Sequence, residues 1–525
     1  MTSIQNPTTP PSDKAPPDGE PAPTAPSMQK LLGLRSNALG LPTLFAQSVA
    51  VISPTMTAAL IIPLAYASAG EGTWLAYAFG TVMLLFVVFC LNQFARRSAS
   101  AGSMYAFTGR GLGPTAGVLS GWTLIWSYLF IAVAGMCGFA VFCGQLLSAL
   151  GYHGSVHPVI FFAISAMAAW FIAYKDVRVS SVLTLLLEAA SVGCIMALAF
   201  VVLFKHGFTV DTAQLQLHGS NVHGMALAVV ACIFSLVGFE SATALGGEAK
   251  SPMKNIPKAV IWSLIVTGLF MVFMSYVEVS GTRGYSTPFG DLTAPLNTLA
   301  QIYGVSWFRI PISIGAMVSF FSLSLSCLNA GARIIYPMAR NGIFSRHLGK
   351  AHTTNRTPHV AITIYIALVF LIPTFLEIFS NPLTIFGDAG TLAAFGFLLA
   401  YFLITVAAPA YLRKLGELRP RHVVLAAVAV LCLLVPTIGS FYTLPPYPVR
   451  LFPYIFLGWM AIGAVWLVVV NHRKPGTLAA IEADMERNTE PLEVTIEVLE
   501  HEDVPTAAQL PDPETSSAGA PGPVV

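Results

Sequence analysis

The sequence predicts an all-α polytopic membrane protein with twelve transmembrane helices. Three observations predict it. Of 525 residues, 55% are hydrophobic and 10% charged, against about 25% charged in an ordinary soluble domain. The apolar residues gather in continuous runs, each near or above the roughly 20 residues a helix needs to cross a bilayer. The basic residues between those runs fall almost wholly on one side. A soluble enzyme of this composition would carry apolar patches that soluble monomers rarely expose. The formal net charge of +2 gives no polycationic surface for a phosphate backbone, so nucleic acid is not an expected partner.

The elements follow in chain order. Residues 1–35 begin with a stretch rich in Pro, Ser, Thr and Ala, PTTPPSDKAPPDGEPAPTAPS, read as a disordered tail. It lacks the short apolar core that a cleaved signal peptide needs. Residues 36–475 form the membrane domain. Its apolar runs are 41–68, 73–95, 114–147, 158–174, 180–204, 222–245, 257–278, 308–335, 359–378, 384–409, 422–442 and 451–471. They are continuously apolar, whereas barrel strands alternate, so they read as helices. The third is long enough to tilt strongly or to include interfacial turns. Residues 476–525 are acidic and end in PDPETSSAGAPGPVV, a second disordered tail.

With twelve spans, both termini share a side. Before the tail Arg487, that side carries 22 Lys and Arg residues and the other carries four, Lys205, Arg283, Arg309 and Arg450. The split predicts cytoplasmic termini, and compact loops fit a bacterial inner membrane. Two loops read as ordered. Residues 98–113, SASAGSMYAFTGRGLG, are Gly-rich. Residues 291–305 space Leu292, Leu296, Leu299 and Ile302 as an amphipathic helix on the outer face, either a lid or a parked connector. Seven cysteines lie inside apolar runs without metal spacing.

Hydrocarbon forces backbone to bond internally, so an interrupted helix is informative. Span 1 reads LFAQSVAVISPTMTAALIIPLAY, with Pro54 near its middle. Proline removes a donor and blocks the carbonyl four residues earlier. Span 6 reads MALAVVACIFSLVGFESATALGG, with Gly238 near its middle and Glu240 just after. Broken helices at positions 1 and 6 match two five-helix inverted repeats, the leucine-transporter-like fold, followed by two C-terminal helices. Such breaks offer peptide dipoles to a small zwitterion. A proline kink and a packing glycine would leave the same sequence trace.

Three stretches carry a resemblance. GFESATALGGEAKSPMKNIPKAV at span 6, SASAGSMYAFTGRGLGPTAGVLSGW between spans 2 and 3, and NAGARIIYPMARNGIFSRHLGKAHTTNRTPHVAI after span 8 resemble the amino acid–polyamine–organocation (APC) transporters, over roughly residues 40–470. The resemblance implies a substrate held between the unwound middles of spans 1 and 6. It implies Ser53, Pro54, Thr55, Met56 and Thr57 as the span 1 window, Phe234 as an aromatic gate, and Ser235, Leu236, Val237 and Gly238 on the span 6 break. It implies Glu240 as a latch to neighbouring helices. Span 1 departs from the Gly-rich stretch of many relatives, with SPTMT in its place.

Few acidic residues sit deep, and an ionised carboxylate mid-helix costs about 2.5–3.5 kcal/mol on insertion scales. Glu188, in span 5, is a candidate proton carrier; a buried structural contact is the other reading. Asp388 lies near the start of span 10. Glu278 and Glu377, at span ends, are expected to be wet. No histidines pair at metal spacing and no GxxxxGK[ST] run occurs. The reading is therefore a secondary transporter for an amino acid, driven by protons or by a counter-substrate. It is not an enzyme, and no cofactor or metal is predicted. A sodium site is less favoured, with Ser322, Ser324 and Ser326 as its oxygen donors. The alternatives are a polyamine or other organic amine as substrate, or a membrane nutrient sensor.

Overall fold

A computed structural model describes residues 38–487 apart from 99–102, 153, 176, 208, 353–354 and 443–446. The expected tail over residues 1–35 lies outside the described residues. Those described fold into helices; the only bridge among them is an isolated parallel pairing of Leu39 with Ala249. Among the described residues, eleven helical stretches are long and apolar enough to cross a membrane. The first, Leu41–Ala95, has 55 residues, enough for two crossings. It is interrupted by a short 3₁₀ turn at Gly70–Gly72, where Gly70 takes a positive φ of 58°.

The first helix, α1 (Leu41–Ile52), stops where the chain chemistry demands it. Pro54 disfavours helical backbone at the preceding residue, and Ser53 adopts the left-handed region at φ 48° and ψ 73°. For a residue with a Cβ this costs about 1–2 kcal/mol. Pro54 then starts a fresh turn at Pro54–Met56, where its missing N–H is harmless. A π-helical segment, Thr57–Ile61, leads into α2 (Ile62–Ala69). Next come α3 (Thr73–Ala95), α4 (Met104–Leu112) and α5 (Pro114–Ala149). The Gly-rich loop predicted at 98–113 thus contains a buried helix. The span read at 114–147 is one helix of 36 residues without an interfacial turn. Buried on nearly all sides, it forms the pillar against which later helices pack.

Helices α6 (Pro158–Lys175), α7 (Val177–Lys205) and α8 (Val222–Leu236) complete the first half. After α8 the chain is extended at Val237, left-handed at Gly238 with φ 104°, and tightens into a 3₁₀ helix over Phe239–Leu245. The second half comprises α9 (Pro252–Gly281), α10 (Pro295–Ile302), α11 (Arg309–Arg340), α12 (His359–Leu376), α13 (Pro382–Lys414), α14 (Pro420–Tyr442) and α15 (Phe452–Arg473). The predicted amphipathic helix at 291–305 is α10. It buries Leu296, Leu299 and Ala300 and exposes Ile302, and it covers the end of α9, where Leu299 packs against Gly281.

Two expectations need correction. The C-terminal extension was expected to be structureless from 476, yet Thr477–Arg487 forms a further helix, α16, with Ile481 fully buried. Residues 488–525 lie outside the described residues. Glu278 was expected to be wet. It is fully buried, and neither carboxylate oxygen has a hydrogen-bond partner among the described residues. At this end of α9, Leu299 of α10 packs against Gly281, a cover that the length of span 7 alone does not reveal. Glu377 stays partly exposed, 3.6 Å from His157.

Candidate functional site

The two predicted breaks meet in the core. A Cβ at Gly238 would fall 2.3 Å from Cγ1 of Val51, so this close approach excludes a side chain as firmly as the positive φ does. Side chains of α1 sew the two segments together. Ser48 Oγ donates to the Phe239 carbonyl at 2.7 Å and accepts from Ala242 N at 3.3 Å. Ser241 Oγ donates to the Gln47 carbonyl at 3.2 Å, and Gln47 Nε2 reaches the Ser326 carbonyl on α11 at 3.0 Å.

Every residue of the span 1 window, Ser53 to Thr57, is fully buried. Ser53 Oγ lies 2.9 Å from Ser319 Oγ of α11. Glu188 of α7 accepts from the Thr55 N–H through Oε1 at 3.2 Å, while Oε2 accepts from Ser319 Oγ. Thr55 Oγ1 donates to Ser191 Oγ at 2.9 Å. Thr57 Oγ1 has no partner among the described residues. Five hydroxyls and one carboxylate thus surround the break, from spans that are far apart in sequence.

At the other break, Glu240 is held from several sides. Tyr128 of α5 donates to Oε1 at 2.7 Å, and Tyr401 of α13 donates to Oε2 at 2.7 Å. The Gly238 N–H also reaches Oε2, at 3.1 Å. Both oxygens are therefore engaged, and span 6 is pinned to the pillar and to α13. Ser235 Oγ sits 3.1 Å from the Tyr77 hydroxyl. Phe234 packs against Phe386, ring centres 5.8 Å apart, and lies over Gly390. Phe386 in turn meets Phe320, and Phe320 stacks on Phe142. Leu236 and Val237 are buried at the break.

The sequence names both windows and both glutamates but not their partners: Glu188 lies at the span 1 break and Glu240 at the span 6 break. Ser319 had no signal. The serines singled out as cation donors lie further along α11, and Ser324 donates instead to the Ala132 carbonyl at 3.0 Å. Ser191, Tyr128 and Tyr401 are equally silent in one dimension. Among the described residues, no three His, Cys, Asp or Glu side chains gather as a metal site requires.

The two ends of the molecule close differently. At the end where α1 begins, Arg333 and Glu248 form a two-pronged ion pair, Nε–Oε2 2.8 Å and Nη2–Oε1 3.3 Å, with both side chains 2% exposed. The Glu248 carbonyl also accepts from the Ala38 and Leu39 N–H groups. At the opposite end, Arg283 holds Asp211 at 2.6 Å and Glu71 at 2.8 Å. Burial opposes ionisation of Asp211, but hydrogen bonds from Gln214 and Arg283, with the Arg283 charge, outweigh it and hold the carboxyl below its ordinary range.

Comparison with known proteins agrees with this geometry. Residues 47–469 match the amino acid permease family. The branched-chain amino acid permease BcaP of Bacillus subtilis is 26% identical over 77% of this chain and 84% of its own. The mouse cationic amino acid transporter 4 is 27% identical over 64% of this chain and 54% of its own. The low-affinity putrescine importer PlaP of Escherichia coli K12 is 24% identical over 61% and 71%. A match covering most of the membrane domain, on a helical fold with two facing breaks, settles the assignment: the chain belongs to the amino acid permease family of the APC superfamily.

Proposed function

We propose that this permease carries an amino acid, recognised by its α-ammonium and carboxylate, across a bacterial inner membrane by alternating access, with both termini cytoplasmic and the proton gradient as driving force. One observation carries the reading. The buried breaks at Ser53 and at Val237–Gly238 lie against each other, which supports a binding site where peptide dipoles of both helices are within reach of one small molecule. Phe234, Leu236, Val237 and Met56 supply an apolar wall for the substrate side chain. Phe234 gates the site toward Phe386, and Glu240 holds the gate helix. Glu188 is the proton carrier, because it links the span 1 break to α11 and, among the described residues, no basic side chain neutralises it.

A polyamine needs anionic contacts of its own. Both oxygens of Glu240 are engaged by tyrosines, which favours the amino acid over the polyamine. The test is uptake of labelled leucine, arginine and putrescine into proteoliposomes. Under an inward proton gradient, leucine or arginine accumulates and a protonophore abolishes accumulation. Uptake that requires an internal counter-substrate and ignores the gradient refutes proton drive. Uptake of putrescine alone refutes the amino acid.

A further inference from the structure

The span 1 break offers fewer free dipoles than its shape suggests. The Ser53 N–H is taken by the Val49 carbonyl at 2.8 Å, and the Met56 N–H by the Ser53 carbonyl at 2.9 Å. Pro54 has none, and the Thr57 N–H bonds to the Pro54 carbonyl. The remaining N–H of the window, at Thr55, is held by Glu188 at 3.2 Å. The group that would receive an incoming carboxylate is therefore already bound to a carboxylate of the protein. Ser319 holds the other oxygen of that carboxylate, and Ser53 and Ser191 complete the hydroxyl surround.

We infer that Glu188 is a tethered competitor for the substrate carboxylate. While ionised it occupies the Thr55 N–H; on taking up a proton it loses its advantage as acceptor and yields that N–H to the substrate. One negative charge replaces another, so each carboxylate that binds is matched by one proton. This rests on the amino acid reading above, and it specifies what the proton does there. Hydroxyls are the side chains that act on Glu188, and no charged or titratable side chain is among them. On the helices packed against α7, the charged groups sit toward the ends: Lys175 on α6, Lys254, Lys258 and Glu278 on α9, Arg309, Arg333 and Arg340 on α11. The other titratable groups are Tyr174 on α6, Tyr276 on α9, and Tyr336 and Cys327 on α11, with Cys327 eight residues from Ser319, about 12 Å along the helix. Ser319 is ten residues from Arg309 and fourteen from Arg333, about 15 and 21 Å along the helix. Among the described residues no fixed charge is at hand to release the competitor, which leaves the proton.

The test is calorimetric binding of L-leucine, L-arginine and putrescine to the full chain in nanodiscs at pH 7.5 and 5.5, in buffers of different ionisation enthalpy. Wild type is expected to bind leucine or arginine about ten- to a hundredfold more tightly at pH 5.5, with about one proton taken up per ligand at pH 7.5. Glu188→Gln should bind at the acid affinity at both pH values and take up no proton. Ser319→Ala, which removes one bond holding the competitor, should raise the affinity at pH 7.5 about tenfold; it keeps the idea testable should the first variant not fold. A wild-type pH ratio retained in Glu188→Gln, or no gain in Ser319→Ala, overturns the role of Glu188 and leaves the amino acid reading standing. Binding of putrescine and of neither amino acid overturns the substrate reading itself, and the competitor with it.

Discussion

Replacing Arg333 by alanine leaves Glu248 as an unpaired carboxylate where both side chains are 2% exposed. Breaking a buried pair from one side costs about 3–5 kcal/mol, because the remaining charge can neither reach water nor find a new partner. Two features set the magnitude here. The guanidinium meets both carboxylate oxygens and also donates to the Asn329 carbonyl at 3.1 Å, so no single bond accounts for the pair. The Glu248 backbone is fixed by its own bonds to residues 38 and 39, so the carboxylate cannot swing away. The expected loss for Arg333→Ala is therefore in that range, about 4 kcal/mol. Converting both partners to methionine should recover most of it, since an apolar pair of similar volume carries no desolvation penalty. Equilibrium unfolding in denaturing detergent, run as a double-mutant cycle, measures both quantities. A loss below about 1 kcal/mol for the single variant, or a double variant as unstable as the single, refutes the argument that the ion pair is a buried lock.

Three further outcomes are expected. Gly390→Ala puts a Cβ 2.1 Å from the Phe234 ring; displacing that ring should cost about 1–3 kcal/mol and slow uptake in proteoliposomes, whereas wild-type transport and stability would deny Phe234 its seat. Tyr401→Phe removes one of two phenols from Glu240 and should cost about 1–3 kcal/mol in the same unfolding assay, with Tyr128→Phe of similar size. At the opposite end, Asp211 has a folded-state pKa below its ordinary 3.8. Its stabilising contribution is thus complete above 3.8 and is lost as pH falls through the lower folded value. The acid-induced loss of stability below pH 4 should be smaller in Asp211→Asn, and an identical acid limb in that variant would refute the assignment.

The parts of this fold that were readable in the sequence are those that depend on local chemistry. Pro54 ends a helix whatever surrounds it, and Gly238 marks a place where φ can turn positive. The spans follow from the apolar runs because hydrocarbon tolerates little else. What could not be read is rotation about helix axes. Glu188 and Thr55 are 133 positions apart, and which face of α7 meets α1 is set by packing across several helices. The same holds for Ser319 and for the tyrosines on Glu240. Glu278 shows the converse. Its place near a helix end suggested water, but a later helix, α10, closes over that end. Burial at a terminus depends on what is stacked above it, and a linear pattern carries no record of that.

The strand-like tie between Leu39 and Ala249 has a mechanical consequence. It is made of main-chain groups, the Ala38 and Leu39 amides on the Glu248 carbonyl and the Lys250 amide on the Leu39 carbonyl. No ordinary side-chain replacement deletes it, apart from proline. The stub that enters the first discontinuous helix and the stub that leaves the second are thereby yoked into a single lever arm. Under the alternating access proposed above, whatever swings one must carry the other, and this end of the molecule opens in one stroke instead of two.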